Sequence, residues 1–215
     1  MPGDTQKFVH RYLPSANPEA ITLLMLHGTG GNEQSLLALG SQLAPGAALL
    51  SPRGKVLEGD SPRFFRRMAE GVFDLEDLIY RTHELADWIE AACIDYRIAR
   101  QSLVAVGYSN GANIAASIML LRPDVLRRAV LLRPMVPLQP DQAPDLTGTE
   151  VLISAGRSDP LVPLQESERL AWLLQDFGAQ VTLQRQLADH RLTNPDLSAA
   201  HDWIRRADGM DQPDV

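Results

Sequence analysis

The chain has 215 residues, of which 45% are hydrophobic and 22% are charged, as in an ordinary globular protein. Its 20 basic and 27 acidic side chains give a net charge of −7, which argues against nonspecific nucleic-acid binding because that binding depends on neutralising phosphates. The longest apolar run, Ala20–Leu26, is far shorter than the roughly 20 residues of a membrane span, and the polar start of the chain does not resemble a signal peptide. One cysteine, Cys93, precludes an intrachain disulfide and fits the cytoplasm. We therefore expect one domain over residues 1–215, with a frayed tail over 207–215.

Short apolar runs typical of strands alternate with helical patterns from end to end. The predicted strands are Lys7–Leu13, Ile21–Leu26, Ala47–Ser51, Leu103–Val106, Arg128–Leu132, Val151–Ala155 and Val181–Gln186. The predicted helices are Glu33–Leu43, Asp74–Tyr96, Asn110–Leu121, Leu164–Phe177 and Asp196–Arg206. This order predicts an α/β fold, with a mostly parallel central sheet, helices on both faces and ligand sites beyond the carboxyl ends of the strands.

Three local features refine this prediction. Asn32 is a candidate N-cap for the first helix. The second helix carries an apolar stripe made of Leu75, Leu78, Ile79, Leu85, Trp88, Ile89 and Cys93. The proline-rich stretch Pro134–Pro144 reads as one loop, and fewer than 20 residues separate Leu132 from Glu150, which leaves no room for a cap domain.

The sequence Gly107-Tyr108-Ser109-Asn110-Gly111 stands between a predicted strand and a predicted helix. This G-x-S-x-G pattern, in a strand–turn–helix context, is typical of a nucleophile elbow. The glycines allow a turn so tight that it lifts the Ser109 hydroxyl clear of the sheet, at the positive end of the following helix. A glycine-rich turn with an incidental serine is the weaker interpretation.

A serine nucleophile needs a histidine base and a carboxylate that orients the histidine, in the chain order Ser, acid, His for this architecture. Of the five histidines, His190 alone follows the serine on a loop at a strand end. Asp159 lies in a turn after the preceding strand and is the favoured acid, although an Asp-Pro turn initiator is an equally good interpretation of its position alone. Asp189, next to the histidine, is the rival acid.

The glycine-rich loop Leu26–Asn32 follows the first buried strand. Such a loop could cradle a phosphate, but it lacks the P-loop and dinucleotide-binding patterns. Beside a nucleophile elbow, it is better interpreted as half of an oxyanion hole, in which the backbone amides of Thr29 and Asn110 are the donors. His27 is expected to brace this loop by hydrogen bonding.

The chain resembles the α/β-hydrolase superfamily and, within it, the small carboxylesterase/phospholipase family that includes acyl-protein thioesterases and bacterial esterases linked to hydroquinone resistance. The resemblance is carried by Leu26–Asn32, Gly107–Gly111, Ala155–Pro163 and Asp189–Leu192, together with Ser51–Gly54, Arg63–Arg67 and Gly71–Asp74. It implies a serine esterase with the triad Ser109, Asp159 and His190, and it makes a homodimer plausible. Asp189 stands where many members have glycine, and Asn110 where many have glutamine.

Without a cap domain, the pocket should be open and walled by the loops Arg53–Phe73 and Pro134–Pro144. The candidate pocket residues are Phe64, Phe65, Met68, Phe73 and Met135. Core packing is an equally good interpretation of Phe64 and Phe65. The basic cluster consists of Arg63, Arg66 and Arg67, which either select a substrate carboxylate or form a solvated face; solvation is the favoured interpretation.

These features together predict a serine carboxylesterase acting on small-molecule esters, without cofactor, metal or nucleic-acid partner. An acyl thioesterase or lysophospholipase with the same triad is the main alternative. A catalytically inactive binding module of the same fold is the weakest of the three hypotheses.

Overall fold

The computed structural model describes residues 8–17 and 19–207. Seven strands build the central sheet: β1 (His10–Leu13), β2 (Thr22–Leu26), β3 (Ala48–Pro52), β8 (Leu103–Tyr108), β9 (Arg128–Leu132), β10 (Glu150–Gly156) and β11 (Gln180–Gln186). Four short strands form two separate hairpins: β4 (Val56–Glu58) with β5 (Ser61–Arg63), and β6 (Arg67–Ala69) with β7 (Val72–Phe73). The helices are α1 (Leu37–Leu43), α2 (Leu75–Asp95), α3 (Asn110–Leu121), α4 (Leu164–Asp176) and α5 (Asn194–Ala207), and a 3₁₀ turn lies at Arg100–Ser102.

The central sheet has the strand order β1-β3-β2-β8-β9-β10-β11. Only the edge strand β1 runs antiparallel to its neighbour, and every other pair is parallel. The predicted mixed α/β architecture with a mostly parallel sheet is therefore confirmed. Between β9 and β10 the chain forms neither helix nor strand, so this connection contains no cap domain.

Two apolar cores cover the two faces of the sheet. Every residue of β2 is buried, and its side chains alternate: Leu24 and Leu26 pack with α2, α3 and α4, while Leu23 and Met25 pack with α1 and α5. A strand that is buried on both faces has a continuous apolar sequence, and this pattern allowed β2 to be predicted. Because the pairs are parallel, the carboxyl ends of these strands meet at one edge of the sheet.

The first two helices correct the sequence prediction. Helix α1 begins at Leu37 and not at Glu33. Residues 33–36 form a turn, in which the Asn32 side chain accepts a hydrogen bond from the Gln34 amide at 2.8 Å, so Asn32 does not cap α1. Asp74 does cap α2, accepting from the Asp77 amide at 3.1 Å.

The buried stripe of α2 is narrower than predicted. Leu75 and Ile79 are 53% and 42% exposed, whereas the other members of the predicted stripe are buried. Cys93 is among the buried ones, and burial raises the pKa of its thiol.

Two expectations fall partly or wholly outside the described residues. The strand predicted from Lys7 begins at His10, and Lys7 itself is not described; of the expected tail, Ala207 ends α5 and residues 208–215 are not described. Within residues 8–17 and 19–207, no helix is long and apolar enough to cross a membrane.

Candidate active site

Ser109 lies in the sharp turn between β8 and α3, at the carboxyl edge of the sheet. Its φ of 52° and ψ of −114° lie in a region that costs a non-glycine residue about 1–3 kcal/mol. The flanking glycines are required by close packing: a Cβ on Gly107 would lie 2.5 Å from the Gly111 carbonyl oxygen, and one on Gly111 would lie 2.0 Å from that of Leu26. The turn therefore has the strained geometry predicted for a nucleophile elbow.

The candidate triad residues come together although they are far apart in sequence. His190 Nε2 lies 3.0 Å from Ser109 Oγ, and His190 Nδ1 lies 2.7 Å from Asp159 Oδ2. The other carboxylate oxygen of Asp159 accepts from the amides of Leu161 and Val162, at 2.9 and 3.0 Å. Because both oxygens of Asp159 accept hydrogen bonds, His190 Nδ1 carries the ring proton and donates a hydrogen bond to Asp159. This leaves His190 Nε2 as the acceptor for the serine hydroxyl. This arrangement can activate a hydroxyl for nucleophilic attack.

The rival acid, Asp189, does not contact the imidazole. Its carboxylate is hydrogen bonded by the side chain and amide of Arg191, and these bonds hold the pKa of Asp189 below its usual value. Asp159, by contrast, has a side chain only 1% exposed and faces the histidine. The structure thus places Asp159, and not Asp189, beside His190.

Arg133 holds the loop that carries His190 and was not found from the sequence. Its guanidinium donates to the carbonyls of Asp189 and Arg191 on either side of the histidine, at 3.0 and 2.9 Å. It also forms a bidentate pair with the Asp196 carboxylate, at 2.7 and 2.9 Å, and both side chains are fully buried. The signal that could have found it is a cation directly after a strand whose last four residues are buried, at the edge where the site was predicted.

The two predicted oxyanion amides are unoccupied in the part of the chain that the structure describes: neither Thr29 N nor Asn110 N is hydrogen bonded to a protein acceptor. The next amide, that of Gly30, is used instead to donate to the Pro62 carbonyl at 3.0 Å. The Asn110 side chain accepts from the Phe64 amide at 2.7 Å, while its buried Nδ2 lacks a partner. The backbone amides of Thr29 and Asn110 are therefore free to donate beside the candidate nucleophile.

His27 braces the glycine-rich loop, as expected. Its Nε2 accepts from the Gly54 amide at 3.0 Å, and its Nδ1 therefore donates to the Gly28 carbonyl at 2.7 Å. Burial lowers the pKa of His27, which keeps this ring neutral. The far end of the loop is fastened by Glu33, whose pKa is lowered to about 2 by hydrogen bonds from Arg53.

A cavity of about 290 Å³ opens above Ser109. Besides Ser109, His190 and the two oxyanion residues, its wall has an apolar part and a charged part. The apolar part is Phe73, Met135, Leu161 and Val162; the charged part is Arg63, Arg67 and Glu70. Both hairpins contribute to this wall, in a region that was predicted from the sequence only as a loop.

The five predicted pocket residues divide into three groups. Phe73 and Met135 line the cavity. Phe64 and Phe65, 3% and 0% exposed, belong to the core beneath it, so the core interpretation is correct for them. Met68 is 74% exposed on the β6–β7 hairpin and does not line the cavity.

The arginines of the basic cluster also differ in whether they lie on the surface or in the cavity wall. Arg66 has a side chain 60% exposed and pairs with Asp74 on the surface, as a solvated face requires. Arg63 is only 3% exposed and points into the cavity wall, where Nη1 donates to Thr29 Oγ1 at 2.7 Å. The favoured interpretation of a solvated face is therefore wrong for Arg63, and Arg67, whose side chain is 22% exposed, also lines the cavity.

Comparisons with known proteins agree with this geometry. The model of the phospholipase/carboxylesterase family matches residues 70–207. MhqD of Bacillus subtilis (strain 168), which is named as a hydrolase, is 49% identical over 185 residues, or 86% of this chain and 92% of that protein.

Solved structures give the same picture. The crystal structure of the Bacillus cereus carboxylesterase is 44% identical, covers 94% of this chain and 95% of its own, and has a TM-score of 0.91. A carboxylesterase from Mesorhizobium loti is 32% identical, covers 87% and 89%, and has a TM-score of 0.83. The family match covers most of the sequence, and these relatives agree with it. This chain therefore belongs to the phospholipase/carboxylesterase family of α/β-hydrolases and is an esterase-type hydrolase.

Proposed function

We propose that this protein is a serine carboxylesterase that hydrolyses small carboxylic esters through an acyl-enzyme on Ser109. The observation that carries the proposal is the run of hydrogen bonds from Asp159 through His190 to Ser109, at 2.7 and 3.0 Å, on the floor of a cavity. The two free amides of Thr29 and Asn110 beside this serine support it, since acyl transfer needs donors for an oxyanion.

In the first half of the proposed reaction, Ser109 Oγ attacks the ester carbonyl while His190 Nε2 accepts the hydroxyl proton. Asp159 accepts the hydrogen bond from Nδ1–H and stabilises the imidazolium that forms. The amides of Thr29 and Asn110 donate to the tetrahedral oxyanion. His190 then transfers its proton to the leaving alcohol, and the acyl group remains on the serine.

In the second half, water attacks the acyl-enzyme with His190 as the base, and the carboxylic acid is released. This sequence of steps is supported by the tautomer that the Asp159 contact imposes on the ring, because only an unprotonated Nε2 can accept a proton.

The size of the cavity favours a small ester. Its volume of about 290 Å³ lies at the lower end of the range for ligand pockets, and charged side chains interrupt its apolar wall. A lysophospholipase or a long-chain thioesterase would need a long apolar groove. Chain-length preference separates the hypotheses, and we expect kcat/KM to fall from p-nitrophenyl butyrate to p-nitrophenyl octanoate.

The decisive experiment compares wild type with Ser109→Ala on p-nitrophenyl acetate and butyrate. Loss of a triad serine lowers kcat by about 10⁴–10⁶-fold. The matched control is Ser102→Ala, at the opposite end of β8, which should leave the rate unchanged. Equal rates for wild type and Ser109→Ala would overturn the proposal.

A fluorophosphonate probe tests the remaining alternative, an inactive binding module. We expect the probe to label wild type and not Ser109→Ala. Absence of labelling in wild type would favour the binding module.

A further inference from the structure

Arg63 is held rigidly in the wall of the cavity above Ser109. It ends β5 and is 3% exposed. Its Nε donates to the Phe65 carbonyl at 3.2 Å, and its Nη1 donates to Thr29 Oγ1 at 2.7 Å. The guanidinium therefore lies directly beside the loop whose amide is a candidate oxyanion donor, and its position is fixed before any ligand arrives.

The positive charge of Arg63 is incompletely compensated. Among the described residues, one carboxylate, that of Glu58, forms an ion pair with it, at 3.3 Å from Nη1. Glu58 is 45% exposed and is shared with Arg67, which donates to it from both Nε and Nη2. Arg67 itself has a second partner in Glu70. Burying a cation is costly unless its partners match it, and here the matching is partial.

The direction in which the pKa of Arg63 is shifted is consistent with this partial pairing. Burial, followed by repulsion from Arg67, lowers the pKa of Arg63, and the attraction of Glu58 and Glu70 does not offset these effects. An anion in the cavity would relieve this imbalance.

Free hydrogen-bonding capacity remains on the same guanidinium. In residues 8–17 and 19–207, Nη2 of Arg63 makes no hydrogen bond to a protein acceptor, and Arg63 lines the cavity. An arginine fork presents neighbouring N–H groups that match a carboxylate. Because Glu70 also lines the cavity, a monoanionic carboxylate suits this wall better than a doubly charged phosphate.

We propose that Arg63 binds a free carboxylate on the substrate, so that the substrate class is the half-esters of short dicarboxylic acids. The assignment rests on the proposed serine esterase function and names its specificity. The carboxylate belongs to the acyl part, because the leaving alcohol must lie within reach of His190 while Arg63 contacts the oxyanion loop. Hydrolysis then adds water across the ester bond and releases an alcohol and a dicarboxylate, with Arg63 unchanged.

The test uses two esters of equal size, monoethyl glutarate and ethyl glutaramate, in which an amide replaces the carboxylate. Ethanol release gives kcat/KM for each. For wild type we expect the half-ester to be preferred by about 10- to 100-fold, the size of effect that a hydrogen bond to a charged group contributes. In Arg63→Gln the ratio should fall to about 1, mainly through a higher KM for the half-ester, because a ground-state binding contact has been removed.

Two control variants separate charge recognition from support of the loop. Arg66→Gln removes an exposed arginine outside the cavity and should leave the substrate ratio unchanged. Thr29→Val removes the hydroxyl that Arg63 contacts but keeps the guanidinium. Both esters should then slow by the same factor, and the ratio should be retained.

The outcomes distinguish the two proposals. If wild type hydrolyses both esters equally, in a reaction that needs Ser109, the carboxylate site is overturned and the esterase function stands. If no ester is hydrolysed, calorimetry with glutarate still decides about the site: at least about 10-fold weaker binding by Arg63→Gln than by wild type supports it, and equal affinity overturns it. Circular dichroism tests whether Arg63→Gln is folded. If this variant does not fold, the preference of wild type between the two esters decides alone, and equal rates for the two esters overturn the site.

Discussion

Two buried arginines in this protein are compensated in opposite ways. Arg133, beneath the His190 loop, is 0% exposed and has its own carboxylate, Asp196, in a bidentate pair. Arg63, in the cavity wall, is 3% exposed and shares Glu58 with another arginine. The first region is electrostatically complete, and the second is not.

The difference separates a structural cation from one available to a ligand. A buried ion pair breaks even only when geometry and additional hydrogen bonds satisfy both partners, as they do around Asp196, which also accepts from Ser154 and Thr193. A buried cation without such partners is a cost to folding that a bound anion can recover. Substitutions in the two regions test this contrast.

Arg133→Met should cause the largest loss of stability. It leaves Asp196 buried without its cation, and breaking a buried pair in this way costs about 3–5 kcal/mol of unfolding free energy. Urea unfolding monitored by tryptophan fluorescence measures the loss. A change below about 1 kcal/mol would show that the Arg133 region is not electrostatically complete.

The double variant Arg133→Met/Asp196→Leu then separates stability from positioning. Replacing both partners by apolar side chains should recover much of the unfolding free energy. Ester hydrolysis should stay low, because the carbonyls of Asp189 and Arg191 still lack the donor that fixes the His190 loop. Recovery of activity together with stability would reduce Arg133 to a purely structural role.

Acid should weaken the same region. Burial acts to raise the pKa of Asp196, but hydrogen bonds from Arg133, Ser154 and Thr193 outweigh it and leave the pKa below its usual value. A carboxyl with a depressed folded-state pKa adds stability above its unfolded pKa, about 3.9, and loses it as pH falls through the folded pKa.

The stability gap between wild type and Asp196→Asn should therefore narrow as the pH falls from about 7 to about 3. Urea unfolding at several pH values measures it. The control is Asp141→Asn in an exposed loop, for which we expect a gap near zero throughout. A gap for Asp196→Asn that is the same at every pH would contradict the role assigned to this carboxylate.

These two regions also mark the limit of what the sequence revealed. Strand ends and chain order led to the prediction that Ser109, Asp159 and His190 lie together, because a parallel sheet brings its carboxyl ends to one edge, and the three side chains do lie together. The partner of Arg133 lies 63 residues further along the chain, and no local pattern connects the two.

The structure of the segment between β3 and α2 was even harder to predict from the sequence. It was predicted only as a loop, since strands of two or three residues are too short to show an alternating pattern. The run Arg63–Arg67 looked like a solvated charge cluster, yet hairpin pairing turns Arg63 inward and leaves Arg66 outside. Burial of a charged side chain is decided by its tertiary partners, and local sequence therefore says little about it.

Arg63→Gln should change stability far less than Arg133→Met. The lost hydrogen bonds to Thr29 and Phe65 are offset by release of an incompletely paired buried charge, so we expect a change within about 1 kcal/mol in urea unfolding. A loss above about 3 kcal/mol would place Arg63 in the same class as Arg133.

Glu58→Gln offers the smallest and most discriminating effect. Glu58 competes with an incoming carboxylate for Arg63 and also pairs with Arg67, so removing its charge should leave the cavity wall more attractive to anions. A half-exposed ion pair contributes about 0.2–1 kcal/mol, and the preference for monoethyl glutarate over ethyl glutaramate should rise by up to about 5-fold.

Salt provides the internal check on that prediction. Since the Glu58 side chain is 45% exposed, the gain should be largest at low ionic strength and shrink in about 0.5 M NaCl. Glu19→Gln, an exposed site away from the cavity, makes the same change in net charge and should not alter the preference. If Glu58→Gln lowered the preference instead, Glu58 would be holding Arg63 in place for the substrate, and the incomplete pairing would be a means of orientation and not of attraction.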